Sequence, residues 1–391
     1  MISNSSLRMA HEYAASREAY EKATQIMSTQ VSIPTSSRYN AKYDRKDLHH
    51  ALTALAVSNG YAESGMSDLA IEAASTRVPS GSWVRDAVEK VEESRMTLML
   101  NDALESTLEQ LKPFGVFATP VMAALDKHKI HRYDPTTDRG HLTRGKHERG
   151  TTTYETYGSL QCVEEGMRAQ VACEHVGLFD DNHELVDKLV ARARLEGVRI
   201  SLLLLDREFF SCKVINELKR LRQLFLMPCR MTSGIKAALT EYIQGKRPMI
   251  SRYVMQAGRE DESSFTLAIF PKAGCDEKSE PNPLKRFISF ATNLPLDKIL
   301  WNAHRLPKDY RRRWGIERGY VEVERFRART TSRSHTLRLL YFYYALILCN
   351  AWLLANLILA KRFSKFLEEP IIRVAIAKAV VRSVILDSFR G

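Results

Sequence analysis

The sequence lacks the cysteine patterns that crosslink small secreted domains or bind zinc. Its six cysteines are scattered over 391 residues, with no CxxC pair and no Cys/His cluster at zinc-ligand spacing. We therefore expect reduced thiols that fill small apolar spaces in a reducing compartment. Residues 1–16 contain no apolar signal-peptide core and low-complexity tracts are absent, so we expect neither a secretory signal nor a disordered chain.

Acidic residues are too few to balance the basic ones. The formal net charge is +12, the isoelectric point is about 9.4, and 45% of residues are hydrophobic. This composition is that of a globular protein, and the length suggests two or three domains. The excess of positive charge favours an anionic partner, either nucleic acid or a membrane surface, although many basic proteins bind neither.

One long hydrophobic run occurs, at residues 339–360. It is long enough to span a bilayer, but Asn350 and Asn356 interrupt it. A membrane span and a buried core helix both fit this composition.

The order of predicted elements indicates a mixed α/β fold. Residues 1–112 have helical periodicity, which fits either a helix-turn-helix DNA reader or a plain helical bundle. From residue 115 the predicted order is three strands, then helix, strand, helix and strand, which favours a mixed sheet covered by helices. Residues 232–300 contain three further strand-like segments, at 249–256, 264–272 and 285–294, and read as a β-rich insertion.

Two apolar runs each end at an aspartate. GVFATPVMAALD, 115–126, ends at Asp126, and VRISLLLLD, 198–206, ends at Asp206. Ligand-binding groups gather where strands end in α/β sheets, and two neighbouring carboxylates repel each other unless a cation lies between them. Mg²⁺ prefers such oxygen ligands. Alternatively, each aspartate opens a turn or caps the next helix.

A third acidic residue lies in a strongly basic segment. Tyr310, Arg313 and Glu317 follow i, i+3, i+7 spacing, which places them on one stripe of a helix. Arginine can bind a phosphate in bidentate fashion, and tyrosine can donate to a phosphate or stack on a base. Alternatively, Glu317 only balances the charge of the arginines around it on a solvated helix; these are Arg311, Arg312, Arg313 and Arg318.

These three motifs together resemble a known family. The Tyr310–Arg313–Glu317 spacing, followed by FRARTTSR at 326–333, resembles the YREK signature of IS-four-type DDE transposases of bacterial and archaeal insertion sequences, the archaeal branches in particular. LLLLDREFFS and AALDKHKIHRYD resemble the strands that carry the second and first catalytic aspartates of that family. The resemblance covers about 115–360.

The resemblance implies a ribonuclease-H-like catalytic core in which Asp126, Asp206 and Glu317 bind two divalent ions, Mg²⁺ or its substitute Mn²⁺. It implies cleavage of transposon ends and strand transfer into target DNA by two-metal phosphoryl transfer. The expected DNA contacts are Tyr310, Arg313, Arg207, Arg325, Arg327, Arg311 and Arg312.

The implied organisation is a helical DNA-binding region over 1–112, the two parts of the core over 113–231 and 301–391, and the β-rich insertion over 232–300. We expect a homodimer on DNA in the prokaryotic cytoplasm, associated with the nucleoid. In this family the helix after the catalytic glutamate packs on the sheet, which favours a core helix at 339–360 over a membrane span.

The sequence departs from the family at Glu324, where the signature has lysine; Arg325 and Arg327 are possible replacements for its charge. Asp134 and Asp138 are weaker alternatives to Asp126, because neither ends an apolar strand. Two other functions stay open: a non-catalytic, basic nucleic-acid binder that a membrane could tether, and a metal-dependent DNA nuclease of the same fold.

Overall fold

The computed structural model describes residues 4–35, 42–133, 140–296, 299 and 305–390. The N-terminal part is helical. A capping box starts α2, since the carboxylate of Asp44 accepts from the Asp47 backbone N–H and the Asp47 carboxylate accepts from that of Asp44. These helices are α1 (Asn4–Gln30), α2 (Arg45–Ser58), α3 (Ala62–Ala73), α4 (Gly81–Glu89) and α5 (Glu93–Leu111).

The described strands form one nine-stranded mixed sheet. Strands β1 and β3 are antiparallel, while β5 runs parallel to β1 and β6 runs parallel to β5. Helices α6 and α7 make the crossovers that these parallel pairs require. The elements of this part are β1 (Val121–Arg132), β2 (Thr143–Glu148), β3 (Thr151–Cys162), β4 (Gln170–Val176), α6 (Asn182–Leu195), β5 (Ile200–Leu205), α7 (Cys212–Arg220) and β6 (Phe225–Pro228).

Strand β1 does not end at Asp126, as the apolar run suggested. It continues to Arg132, because β3 pairs with it along its whole second half, from Asp126 opposite Ser159 to Arg132 opposite Thr153. Its parallel neighbour β5 stops at Leu205. The hydrophobic pattern ends where β1 loses one of its two neighbours, so only Asp206 follows the end of a strand directly.

The β-rich segment extends the same sheet. Strands β7 (Ile250–Met255), β8 (Ser263–Pro271) and β9 (Phe287–Thr292) lie where strand-like segments were predicted. β9 pairs antiparallel with β6, β8 with β9, and β7 with β8, after helix α8 (Ser233–Ile243). This part of the chain therefore continues the core sheet.

The long hydrophobic run forms the centre of the C-terminal helices, which are α9 (Leu306–Arg311), α10 (Trp314–Phe326), α11 (His335–Arg362) and α12 (Val374–Arg390). Every residue of α11 from Leu339 to Ala360 is buried. Asn350 bonds to the Thr107 hydroxyl of α5 and to both backbone groups of Gln170 in β4. By length and composition α11 could cross a membrane, but 89% of its most apolar window is buried inside the protein, as in a core helix.

Candidate functional site

The first two acidic residues are neighbours because their strands are parallel. Leu125 of β1 lies opposite Leu205 of β5, so Asp126 and Asp206 follow side by side on strands separated by about 5 Å. Asp206 then leaves the sheet into a 3₁₀ turn over Arg207–Phe209. The leucines of β5 are buried and fix the strand in the core, which places the Asp206 carboxylate at its edge.

Glu317 comes from the C-terminal helices, which differ from the single helix that was predicted. Two i+3 hydrogen bonds, from Arg312 N–H to Asp309 and from Arg313 N–H to Tyr310, form a tight turn that separates α9 from α10. Arg312 and Arg313 keep right-handed helical angles. Tyr310, Arg313 and Glu317 therefore still lie on one face, despite the turn between the two helices. Glu317 lies in the first turn of α10, where the helix dipole favours an acid.

Close packing holds α10 against the sheet. Gly319 lies on β3, and a Cβ atom there would come within 2.1 Å of the Gln161 side chain. The Tyr320 hydroxyl donates to the Asp126 backbone carbonyl at 2.8 Å and lies 2.9 Å from the Ser159 hydroxyl. Tyr320 was not among the predicted site residues, although its i+3 spacing from Glu317 places it on the same face of α10.

Arg313 links two of the acidic residues through hydrogen bonds. Its Nη1 donates to Asp126 Oδ2 at 3.0 Å, and its Nη2 donates to Glu317 Oε1 at 2.6 Å. The side chain is only 9% exposed. Burial lowers the pKa of Arg313, but the charges of Tyr310, Asp126 and Asp206 outweigh it, so the net shift is upward. Arg313 thus lies among the carboxylates and holds two of them in place.

The site carries more negative charge than Arg313 neutralises. Burial raises the pKa of Asp126 to about 6, although the Lys127 N–H and Arg313 lower it; the charges of Asp206 and Glu208 add to the rise. Among the described residues, the Asp206 carboxylate has no recorded hydrogen bond or ion pair. Carboxylates are the donors that a hard divalent cation prefers, but the ligand atoms of Asp126, Asp206 and Glu317 do not all lie within 4.8 Å of one another in this structure; among the described residues only a group of three histidines does so.

The residues predicted to contact DNA fall into three groups. Tyr310 and Arg313 are largely enclosed, and the Tyr310 ring lies 5.1 Å from that of Phe290. Arg207, Arg311 and Arg325 are exposed. The remaining two are ion-paired: Arg312 with Glu164 at 3.0 Å and Arg327 with Glu324 at 2.8 Å.

Glu324, which stands where the resembled signature has lysine, has partners of its own. Glu324 accepts from His128 Nε2 at 2.8 Å and from two nitrogens of Arg327. Burial would raise the pKa of Glu324, but these two hydrogen-bond partners lower it to about 2. The alternative first aspartates, Asp134 and Asp138, lie outside the described residues.

No protein-family model and no curated protein matches the sequence. Among solved structures, the chain is similar to the piggyBac transposase in a synaptic complex with hairpin DNA, determined by cryo-electron microscopy, with a TM-score of 0.55 and 12% identity. The two chains share a fold. The match covers 95% of this chain and 78% of the other. The predicted ribonuclease-H-like, mixed α/β fold class is confirmed, and the fold is transposase-like.

Proposed function

We propose that this chain is a DDE transposase of the IS-four type, with Asp126, Asp206 and Glu317 as its catalytic acids. The observation that carries the proposal is the 3.0 Å ion pair between Asp126 and Arg313, because Arg313 starts the helix of Glu317 and the strand of Asp126 lies beside the strand that ends at Asp206. A solvated, salt-bridged helix would pair Arg313 with Glu317 at i+4, but it would not bury the guanidinium of Arg313 against a carboxylate of the sheet. The order of the motifs in the sequence and the transposase-like fold support the same assignment.

The cofactor in this proposal is a pair of Mg²⁺ ions, with Mn²⁺ as a substitute, held by the three acids. When bound, such ions activate the attacking oxygen and stabilise the leaving oxygen of a phosphodiester. The chain contributes the positions of the ligands: β1 and β5 fix the aspartates, and α10 brings in Glu317. Arg313 neutralises part of the charge of Asp126 and Glu317 before a metal or DNA arrives.

DNA is the proposed substrate, and the exposed arginines Arg207, Arg311 and Arg325 are the proposed backbone contacts. A net charge of +12 supports an anionic partner. The structural neighbour was solved with hairpin DNA. Transposition joins two ends to one target, so we propose that two copies act together on DNA.

The test uses duplexes that carry the ends of the element encoding this chain, labelled to separate cleavage from joining. With Mg²⁺ or Mn²⁺, we expect the wild type to cleave and join these ends. Asp206→Asn and Glu317→Gln should each reduce cleavage by at least about 100-fold, since each removes a ligand charge needed in the transition state. Glu322→Gln is the matched control, because Glu322 lies on the same helix but contacts Arg168.

Circular dichroism would establish that each variant is folded. Cleavage without joining would change the assignment to a nuclease of the same fold. Metal-independent DNA binding with no cleavage, unaltered in both variants, would instead identify a non-catalytic binding protein.

A further inference from the structure

Three histidines from distant parts of the chain meet on the sheet outside the acidic site. His141 lies just before β2, His175 lies in β4, and His335 is the first residue of α11. One ring nitrogen from each lies within 4.8 Å of the other two. The sequence offered no sign of this cluster, because its members are not at any short zinc-ligand spacing.

The fold holds each ring in place. The Gly140 carbonyl accepts from the Leu178 N–H, which brings the segment of His141 beside the end of β4. His175 lies opposite Tyr157 in the β3–β4 pair. The Ser334 hydroxyl caps α11 by accepting from the Leu337 N–H, so the first residue of that helix has a fixed position.

The orientation of His335 is typical of a metal ligand. Its Nδ1 lies 2.8 Å from Oε1 of Glu155, whose side chain is 1% exposed and paired with Arg132 at 2.9 Å. A carboxylate at Nδ1 places the proton there and leaves Nε2 as the lone-pair nitrogen, as in carboxylate–histidine–metal arrangements. In the described residues, Nε2 of His335 and Nε2 of His175 are buried and have no hydrogen-bond partner.

A carboxylate lies beside two of the three histidines. Glu93, the first residue of α5, places Oε1 3.5 Å from both His141 Nδ1 and His335 Nε2. This distance is long for a hydrogen bond. In a tetrahedral site with metal–ligand bonds of about 2.0–2.1 Å, however, neighbouring donor atoms lie about 3.4 Å apart.

We propose that His141, His175, His335 and Glu93 bind one Zn²⁺ ion that fastens the N-terminal helices to the sheet and to α11. Three imidazoles and one carboxylate favour zinc over Mg²⁺ or Ca²⁺, which prefer oxygen ligands. With Glu93 as its fourth ligand, the proposed site leaves no position for a substrate and is structural.

The test measures zinc in the untagged full-length chain. After treatment with a chelator, titration with Zn²⁺ should reach one ion per chain and raise the melting temperature, because the ion binds only the folded state. Co²⁺ in its place should give the visible absorption of a tetrahedral site. His175→Gln and His335→Gln should lose both effects, while His147→Gln, an exposed residue of β2, should retain them.

A folded wild-type chain that binds no stoichiometric Zn²⁺ would overturn the proposal, and so would equal binding by all three variants. If a variant does not fold, the wild-type stoichiometry and Co²⁺ spectrum decide the question. Neither readout involves DNA cleavage, so a failure here is distinguishable from a failure of the proposed transposase activity.

Discussion

The structure gives Arg313 a different environment from the one that the sequence around it suggested. A guanidinium in a basic helix was expected to reach a DNA phosphate, but the structure surrounds it with Asp126, Glu317 and the Tyr310 ring. Removing one member of a buried ion pair leaves the other charge uncompensated, which typically costs about 3–5 kcal/mol. At the residue scale, Arg313 therefore organises the acidic site, and the exposed arginines are better placed to meet DNA.

Glu324 gives a pH-dependent prediction. In the folded chain its pKa is about 2, below the ordinary value of 4.5, so its ionised form stabilises the fold at neutral pH. That contribution is lost as the pH falls from about 4.5 through about 2. The side chain is 38% exposed and solvent screens its pairs, so Glu324→Gln should lower the free energy of unfolding at pH 7 by about 1–2 kcal/mol.

Urea unfolding of both proteins at a series of pH values checks this prediction. The difference between wild type and Glu324→Gln should shrink steadily below pH 4.5. Glu369→Gln, an exposed residue, serves as the control and should match the wild type throughout. A difference of constant size from pH 7 to pH 3 would contradict the assigned role of the carboxylate.

At the scale of elements, the distance between α10 and β3 sets the position of Glu317. Gly319→Ala would bring a methyl group within 2.6 Å of three atoms of the fully buried Gln161 side chain. That side chain cannot swing into solvent, so we expect α10 to move and the free energy of unfolding to fall by about 1–3 kcal/mol. Because Glu317 moves with the helix, DNA cleavage should fall as well.

Gly315→Ala is the matched control for that prediction. It lies on the same helix, and its nearest neighbour is a Val163 methyl at 3.2 Å. The higher helix propensity of alanine, worth up to about 1 kcal/mol, offsets this milder contact. Stability in chemical denaturation and the rate in the cleavage assay should both decrease in the order wild type, Gly315→Ala, Gly319→Ala. Equal stability of the two variants would contradict the packing argument.

Local patterns predicted some elements well. The leucines before Asp206 form a buried strand, and strands lie at all three predicted positions of the β-rich segment. The errors in these predictions arose where contacts between distant parts of the chain determine the local structure. Strand β1 passes Asp126 because β3 pairs with it, and the turn at Arg312 interrupts a continuous helical pattern. The histidine cluster depends on three separated segments, so no spacing rule could reveal it.

At the scale of the whole molecule, the N-terminal and C-terminal helices share one hydrophobic core with the sheet. Helix α11 lies at its centre, with α1 and α5 packed along it. Polar contacts also join the N-terminal helices to α12: Glu72 of α3 pairs with Arg382 at 2.6 Å, and Asn59 at the end of α2 accepts from Lys378 at 2.7 Å. The N-terminal helices therefore cover a hydrophobic surface of α11, in addition to any role on DNA.

Removal of residues 1–112 should leave a chain that cannot fold in water. It would expose α11 residues such as Tyr344, which is 1% exposed and contacts His49 of α2. Each large apolar side chain so exposed costs about 1.5–3 kcal/mol, and several together exceed the usual stability of a domain. Size-exclusion chromatography and circular dichroism should show aggregated chain, and co-expression of the 1–112 fragment should restore a folded complex. If residues 113–391 alone unfold cooperatively at the wild-type melting temperature, the N-terminal helices are a separate appendage and this account of the core is wrong.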